Sequence, residues 1–148
     1  MSQVNYPGTA QHQRVLQAIA DCYRGDKRIR AVGLFGSLGR GNWHEFSDLD
    51  LDVVIADHVQ ISVADEIACL CAALATTGEE ALLIVPSAPD AGDVVFASLL
   101  ELSIRYHPLA TTNWKITDSL VLLCGDLDLA TIVAAGQQNH TASGVSSP

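Results

Sequence analysis

GSLGRGNWHEFSDLDLDVVI, residues 36–55, decides how the chain is read. It opens at Gly36-Ser37 straight after the apolar run IRAVGLF, crosses a short glycine-containing segment, and ends with Asp48, Asp50 and Asp52 alternating with Leu49, Leu51 and Val53. On a strand, side chains two apart share a face. The three carboxylates then line one side and the aliphatic residues, with Ile55, the other. Carboxylates crowded on one face repel one another unless positive charge sits among them. A hard divalent cation such as Mg2+ fits that role, because it takes oxygen ligands and shares them with substrate phosphates.

Working outward, residues 29–35 read as a buried strand, with Gly33 permitting a close backbone approach. Before it, Val15, Leu16, Ile19, Cys22 and Tyr23 recur at helical spacing, which predicts a helix over 9–24 closed by Gly25. Ser37 is expected to cap a short helical turn through Arg40, and 41–47 to form a loop. After the carboxylate strand at 48–55, Ser62 is a helix N-cap with Asp65 and Glu66 in the first turn. Val63, Ile67, Leu70, Cys71 and Leu74 form the apolar stripe of that helix, and Gly78 ends it. Residues 81–85 read as a short strand, 86–92 as a turn, and 94–107 as strand broken near Ser98. A loop over 108–117 carries Trp114, expected to be exposed. Residues 119–124 are expected to be an edge strand, and Asp126 to cap a last helix reaching 135. This order predicts an α+β fold, a mixed β-sheet flanked by helices. The domain is expected over 9–136, with a loose arm at 1–8 and a disordered tail at 137–148.

The chain has 148 residues, 49% apolar and 17% charged, which suits one domain with a real core. A net charge of -9 argues against gripping a nucleic-acid backbone. It favours a small-molecule or protein partner, and long-range attraction would help a cationic one. Cys22, Cys69, Cys71 and Cys124 have no zinc or C-x-x-C spacing and lie in apolar segments, so they are expected to be reduced and buried. Residue 1 is not followed by a signal pattern, and no apolar run approaches a membrane span, so a cytoplasmic protein is expected.

The chemistry follows from the central stretch. A Gly-Ser turn at a helix start offers backbone N–H groups and a hydroxyl to phosphate oxygens. Arg40 adds a charged fork to the same phosphates. Paired carboxylates on the next strand can hold one or two divalent ions against them. A third carboxylate from a neighbouring strand completes such a site, holding an ion or taking a proton. Glu101 is the candidate, since Glu101, Ser103, Arg105 and His107 alternate with apolar residues; it is equally placed to pair with Arg105. His44, Tyr106 and Trp114 read as loop and packing residues.

Gly36-Ser37, ten intervening residues with Arg40-Gly41 among them, then Ser47-Asp48-Leu49-Asp50-Leu51 resembles the signature of the DNA polymerase beta-like nucleotidyltransferase superfamily. The likeness is greatest to its minimal and aminoglycoside- or lincosamide-modifying members. The resemblance implies Mg2+-dependent transfer of a nucleoside monophosphate from ATP or another nucleoside triphosphate to an acceptor. By the same resemblance Asp48 and Asp50 are metal ligands, Gly36 and Ser37 hold the triphosphate, and Glu101 is the third carboxylate. Asp50/Asp52 offers a second register for the pair. The acceptor is a small hydroxylated molecule such as an antibiotic, placing the protein in antibiotic resistance, or a side chain of a partner protein in a toxin-antitoxin pair. Drug-modifying relatives carry a helical C-terminal domain that this chain ends too soon to include. The acceptor pocket is therefore expected to be missing, reduced or built at a dimer interface. A sheet edge or the last helix offers a route to a homodimer, and a non-catalytic nucleotide-binding module is the rival reading.

Overall fold

The computed structural model describes residues 6–114 and 120–135. Its elements run α1 (Ala10–Tyr23), β1 (Ile29–Phe35), α2 (Gly36–Arg40), β2 (Leu49–Ile55), α3 (Val63–Ala75), β3 (Ala81–Ala88), β4 (Ala91–Phe96), β5 (Glu101–Pro108) and β6 (Val121–Gly125). A last helical segment, α4, occupies residues 129–135. The six strands form one sheet in the order β3-β4-β5-β2-β1-β6. β2 and β5 are parallel and the other neighbours antiparallel, so the sheet is mixed. The α+β architecture expected from the sequence is the one observed.

Each face of the sheet has its own apolar cover. Leu49, Leu51, Val53, Leu102, Ile104 and Tyr106 join α1 and α3 in the main core. In α1 Val15, Leu16, Ile19 and Tyr23 supply the buried stripe, and the Tyr23 and Tyr106 hydroxyls meet at 2.7 Å. On the opposite face a smaller cluster gathers Ala31, Val54, Trp114, Ile132 and Val133. Trp114, expected to be exposed, is buried there. Its ring lies over Gly33 and packs edge-on against Phe35, and its Nε1 donates to Asp52 Oδ2 at 3.0 Å. Gly33 is where the close approach occurs, and the indole is what approaches.

Other local expectations shift. β3 continues through Pro86 to Ala88, because Pro86 pairs with Gly92 and the turn shrinks to the residues between Ala88 and Ala91. Proline is tolerated because this is an edge strand. The 94–107 run splits into β4 and β5 around an exposed Leu99 with φ +74. The last helix is capped by Asp128, whose Oδ1 accepts from Thr131 N–H at 2.8 Å, while Asp126 pairs with Arg30 at 3.0 Å. Cys22 and Cys69 are exposed rather than buried, being on outward faces of α1 and α3; Cys71 alone is fully in the core. Tyr6, within the stretch expected to be a loose arm, is buried. The tail at 137–148 lies outside the described residues.

One buried group ties α1 to the loop before β2. His12 has no exposure. Its Nε2 lies 2.8 Å from the Ser47 carbonyl oxygen, which can only accept, so Nε2 carries the proton. Nδ1 then accepts from Thr9 N–H at 3.0 Å, within the N-terminal cap of α1. The Ser47 hydroxyl in turn accepts from His44 N–H at 2.8 Å and from Ser37 Oγ at 2.9 Å. His12→Leu orphans a buried acceptor and a part-buried donor. The loss is about 2–4 kcal/mol, which lowers the thermal midpoint by roughly 5–15 °C. His12→Gln, which keeps a side-chain donor, recovers part of it. Circular dichroism melts of the two variants check this, and a wild-type midpoint for His12→Leu refutes it.

Candidate active site

Asp50 is the centre of the polar face. It is paired with Phe35 of β1 on one side and Ser103 of β5 on the other. Phe35 is the last residue before Gly36, so the turn that follows β1 falls against the Asp50 side chain. Gly36 has φ +71, and a methyl group there would collide with the Asp50 carboxylate. Only glycine meets both conditions. The helical turn begins at Gly36 itself, with Phe35 rather than Ser37 at the cap position, two residues earlier than expected, and no side chain caps it. Ser37 is not the cap; its hydroxyl is engaged by Ser47, beside Asp48.

The parallel β2–β5 register aligns Leu49 with Leu102 and Asp50 with Ser103, which sets Asp48 abreast of Glu101. The two carboxyls are in hydrogen-bonding contact. Desolvation, then the Glu101 charge and that contact, push the Asp48 carboxyl above the usual range, with His44 opposing. Asp50 is raised too, first by desolvation, then by Asp48, with Asp93 adding to it and Arg40 and Arg105 opposing. Asp48, Asp50, Glu101 and Arg40 are thus brought to one locality next to Gly36.

Asp52 shares the face but has other partners. Besides the Trp114 indole it meets His107 Nε2 at 3.4 Å. The Asp52 hydrogen bond holds the His107 imidazole above its ordinary range against the opposing effect of burial, with the Asp52 and Asp90 charges adding. Of the two registers, Asp48/Asp50 has the freer carboxylates.

The sequence offers Arg105 and His107 equally as site-lining or as solvated strand-face residues, and it gives Asp93 no place at the site. Asp93 sits on β4 opposite Ser103, whose hydroxyl donates to Asp93 Oδ1 at 2.7 Å. Its signal was alternation: Gly92, Val94 and Phe96 share one face of β4 and Asp93 the other, but a turn ending at 92 and a strand starting at 94 leave it between the two. Arg105 aligns with Asp52 and acts on Asp50 through its charge. A cavity of about 450 Å3 opens between these groups, with Gly36, Asp50, Asp93, Ser103 and Arg105 in its wall. Asp48 and Glu101 stand exposed and do not line that cavity.

Among the described residues no three His, Cys, Asp or Glu side chains converge closely enough to cage a metal ion by themselves. The donor chemistry nonetheless suits Mg2+: all oxygen, anionic, and mutually repelling without a cation. Mg2+ is commonly held by one or two carboxylates together with substrate phosphates rather than by an all-protein cage.

No curated protein matches the chain. Among solved structures it is similar to a toxin-antitoxin with AMP-PNP, at 17% identity and a TM-score of 0.47, over 88% of this chain and 90% of that one. It is also similar to a cytoplasmic RNA terminal U-transferase, at 19% identity and a TM-score of 0.45, over 68% of this chain and only 30% of that longer one. The family model described as "Polymerase beta, Nucleotidyltransferase" matches residues 17–94, which include the Gly-Ser turn and all three alternating aspartates and stop short of Glu101. Over more than half its length the chain meets that description, and it belongs to the polymerase beta nucleotidyltransferase family.

Proposed function

We propose that the chain transfers AMP from ATP to a hydroxyl of a small-molecule acceptor, with Mg2+ held by Asp48, Asp50 and Glu101 together with the triphosphate. The observation that carries this reading is the contact of Gly36 with Asp50. It sets an uncapped helical turn, able to receive phosphate oxygens, against the acids that would hold the metal. Arg40 and Arg105 bring positive charge to the same locality.

In this reading the acceptor oxygen attacks the α-phosphorus and the bond to pyrophosphate breaks. The hydroxyl proton passes to the Glu101 carboxylate. The backbone after Gly36 and the Ser37 hydroxyl hold the phosphates, and Arg40 steadies them. Bound Mg2+ supplies charge neutralisation and alignment of the triphosphate. The acidic surface favours a cationic acceptor over a nucleic-acid backbone. Four free cysteines, two of them exposed, suit the reducing cytoplasm. Among the described residues no helix is long and apolar enough to cross a membrane.

The acceptor test uses ATP labelled in the α-phosphate with aminoglycosides, with lincosamides, and with proteins co-purified with the chain. Label on a drug is expected. Label on a protein alone moves the acceptor to a partner side chain. Label on neither, with nucleotide still bound, leaves a non-catalytic binding module.

Two further outcomes are specific to the acids. Calorimetry is expected to show little Mg2+ uptake by the protein alone and clear uptake with a non-hydrolysable ATP analogue. Equal uptake in both conditions contradicts a site that the phosphates complete. Asp50→Asn is expected to lower kcat/KM by roughly 10²–10³-fold, the scale of losing one charge-stabilising group. The same substitution should raise the melting temperature without ligand. Asp50 takes protons more readily folded than unfolded, so its ionised form subtracts from stability at neutral pH, and that deficit fades as pH falls through its raised value. The gain is expected as a rise in melting temperature at pH 7. It disappears toward pH ~4, where aspartate protonates even when unfolded. A variant that melts lower than wild type at pH 7 contradicts the repulsion.

A further inference from the structure

The least satisfied surface lies at the end of the sheet. β3 borders β4 alone, so among the described residues the backbone groups on its outer edge have no ladder partner. Its sequence ALLIVPSA holds no charge, in a chain of net charge -9. Leu82, Leu83, Ile84 and Val85 are 63%, 54%, 44% and 42% exposed. Leu83 and Val85, opposite Val95 and Asp93, point to the face of the candidate site; Ile84, opposite Val94, points to the helix-covered face. Natural edge strands are normally short, charged, covered or interrupted by proline; here Pro86 lies past the apolar run and leaves residues 81–85 uninterrupted.

We propose that β3 is the contact with a second copy of this chain, the two β3 edges pairing antiparallel about a two-fold axis so that one sheet runs through both molecules. A helix laid on this edge covers one face and leaves the backbone groups unpaired. A strand meets the backbone and both faces together. A second copy brings that strand with its own flanking layer. α3 packs over β3 and β4, and its exposed Ala68, Cys69, Ala72 and Ala75 belong to a run, residues 67–78, without a charged side chain.

Charge selects both partner and direction. Most surfaces of so acidic a chain repel an identical surface, whereas this edge is neutral between exposed Glu80 and Asp90. Parallel pairing would set the two Glu80 side by side, about 5 Å apart. Antiparallel pairing centred on Leu83 separates them by roughly 20 Å at ~3.3 Å per residue, well beyond the ~8 Å screening length at physiological salt. The contact would also border the cavity, since Ser87 of β3 lies in its wall.

The inference does not depend on the nucleotide chemistry, and its test involves no ligand. Sedimentation velocity on the full chain over about 1–100 µM is expected to show twice the chain mass of 15.7 kDa at the upper end. Leu83→Lys and Val85→Lys change exposed positions, so the melting temperature should hold while self-association weakens at least about tenfold. Wild-type protein that stays monomeric throughout overturns the proposal. So does a dimer that both lysine variants leave intact, or a monomer that uses this edge only with a different protein.

Discussion

Like charge held together, and only partly offset by Arg40 and Arg105, is the constraint that organises this molecule. Asp48 stands against Glu101, and Asp50 feels both Asp48 and Asp93. What holds them there is the other side of the same two strands. Leu49, Leu51 and Val53 of β2, with Leu102 and Ile104 of β5, are almost fully buried beneath α1 and α3. Each such side chain is worth about 1.5–3 kcal/mol on burial. Together they outweigh the repulsion of half-solvated carboxylates by several-fold. The sheet therefore stays formed with its acids crowded on the polar face.

The three alternating aspartates share a face without sharing a fate. Asp48 and Asp50 lie toward the end of β2 where the Gly36 turn arrives. Asp52 lies further along, where Trp114 and His107 satisfy it and the small cluster built on Ile132 and Val133 closes over the strand. One face of one strand is thus divided into an open acidic end and a covered end. The division is made by residues more than fifty positions away in the chain.

Ser47 links the Gly36-Ser37 turn to the acids. Its hydroxyl receives Ser37 and the His44 N–H, and its carbonyl receives His12 from α1. The loop between α2 and β2 is mostly exposed, yet Ser47 is fastened from three directions immediately before Asp48. A helix cap at the start of the chain is in this way mechanically joined to the approach of the carboxylate strand.

Local pattern carried much of this. Period-two alternation gave β2 and the polar face of β5, the helical stripes gave α1 and α3, and glycine followed by serine after an apolar strand marked the turn. Each depends on near neighbours, whose side-chain directions are set by backbone geometry alone. The sequence by itself therefore determined the α+β class, the strand bearing the acids and the pairing of that strand with a Gly-Ser turn. Which carboxylates meet was decided only by tertiary structure. The parallel register of β2 on β5 put Glu101 beside Asp48, the β4 register brought in Asp93, and Trp114 folded back over Gly33 to claim Asp52. Strand register and long-range packing are settled by the fit of whole faces against each other, and no window of adjacent residues contains that information.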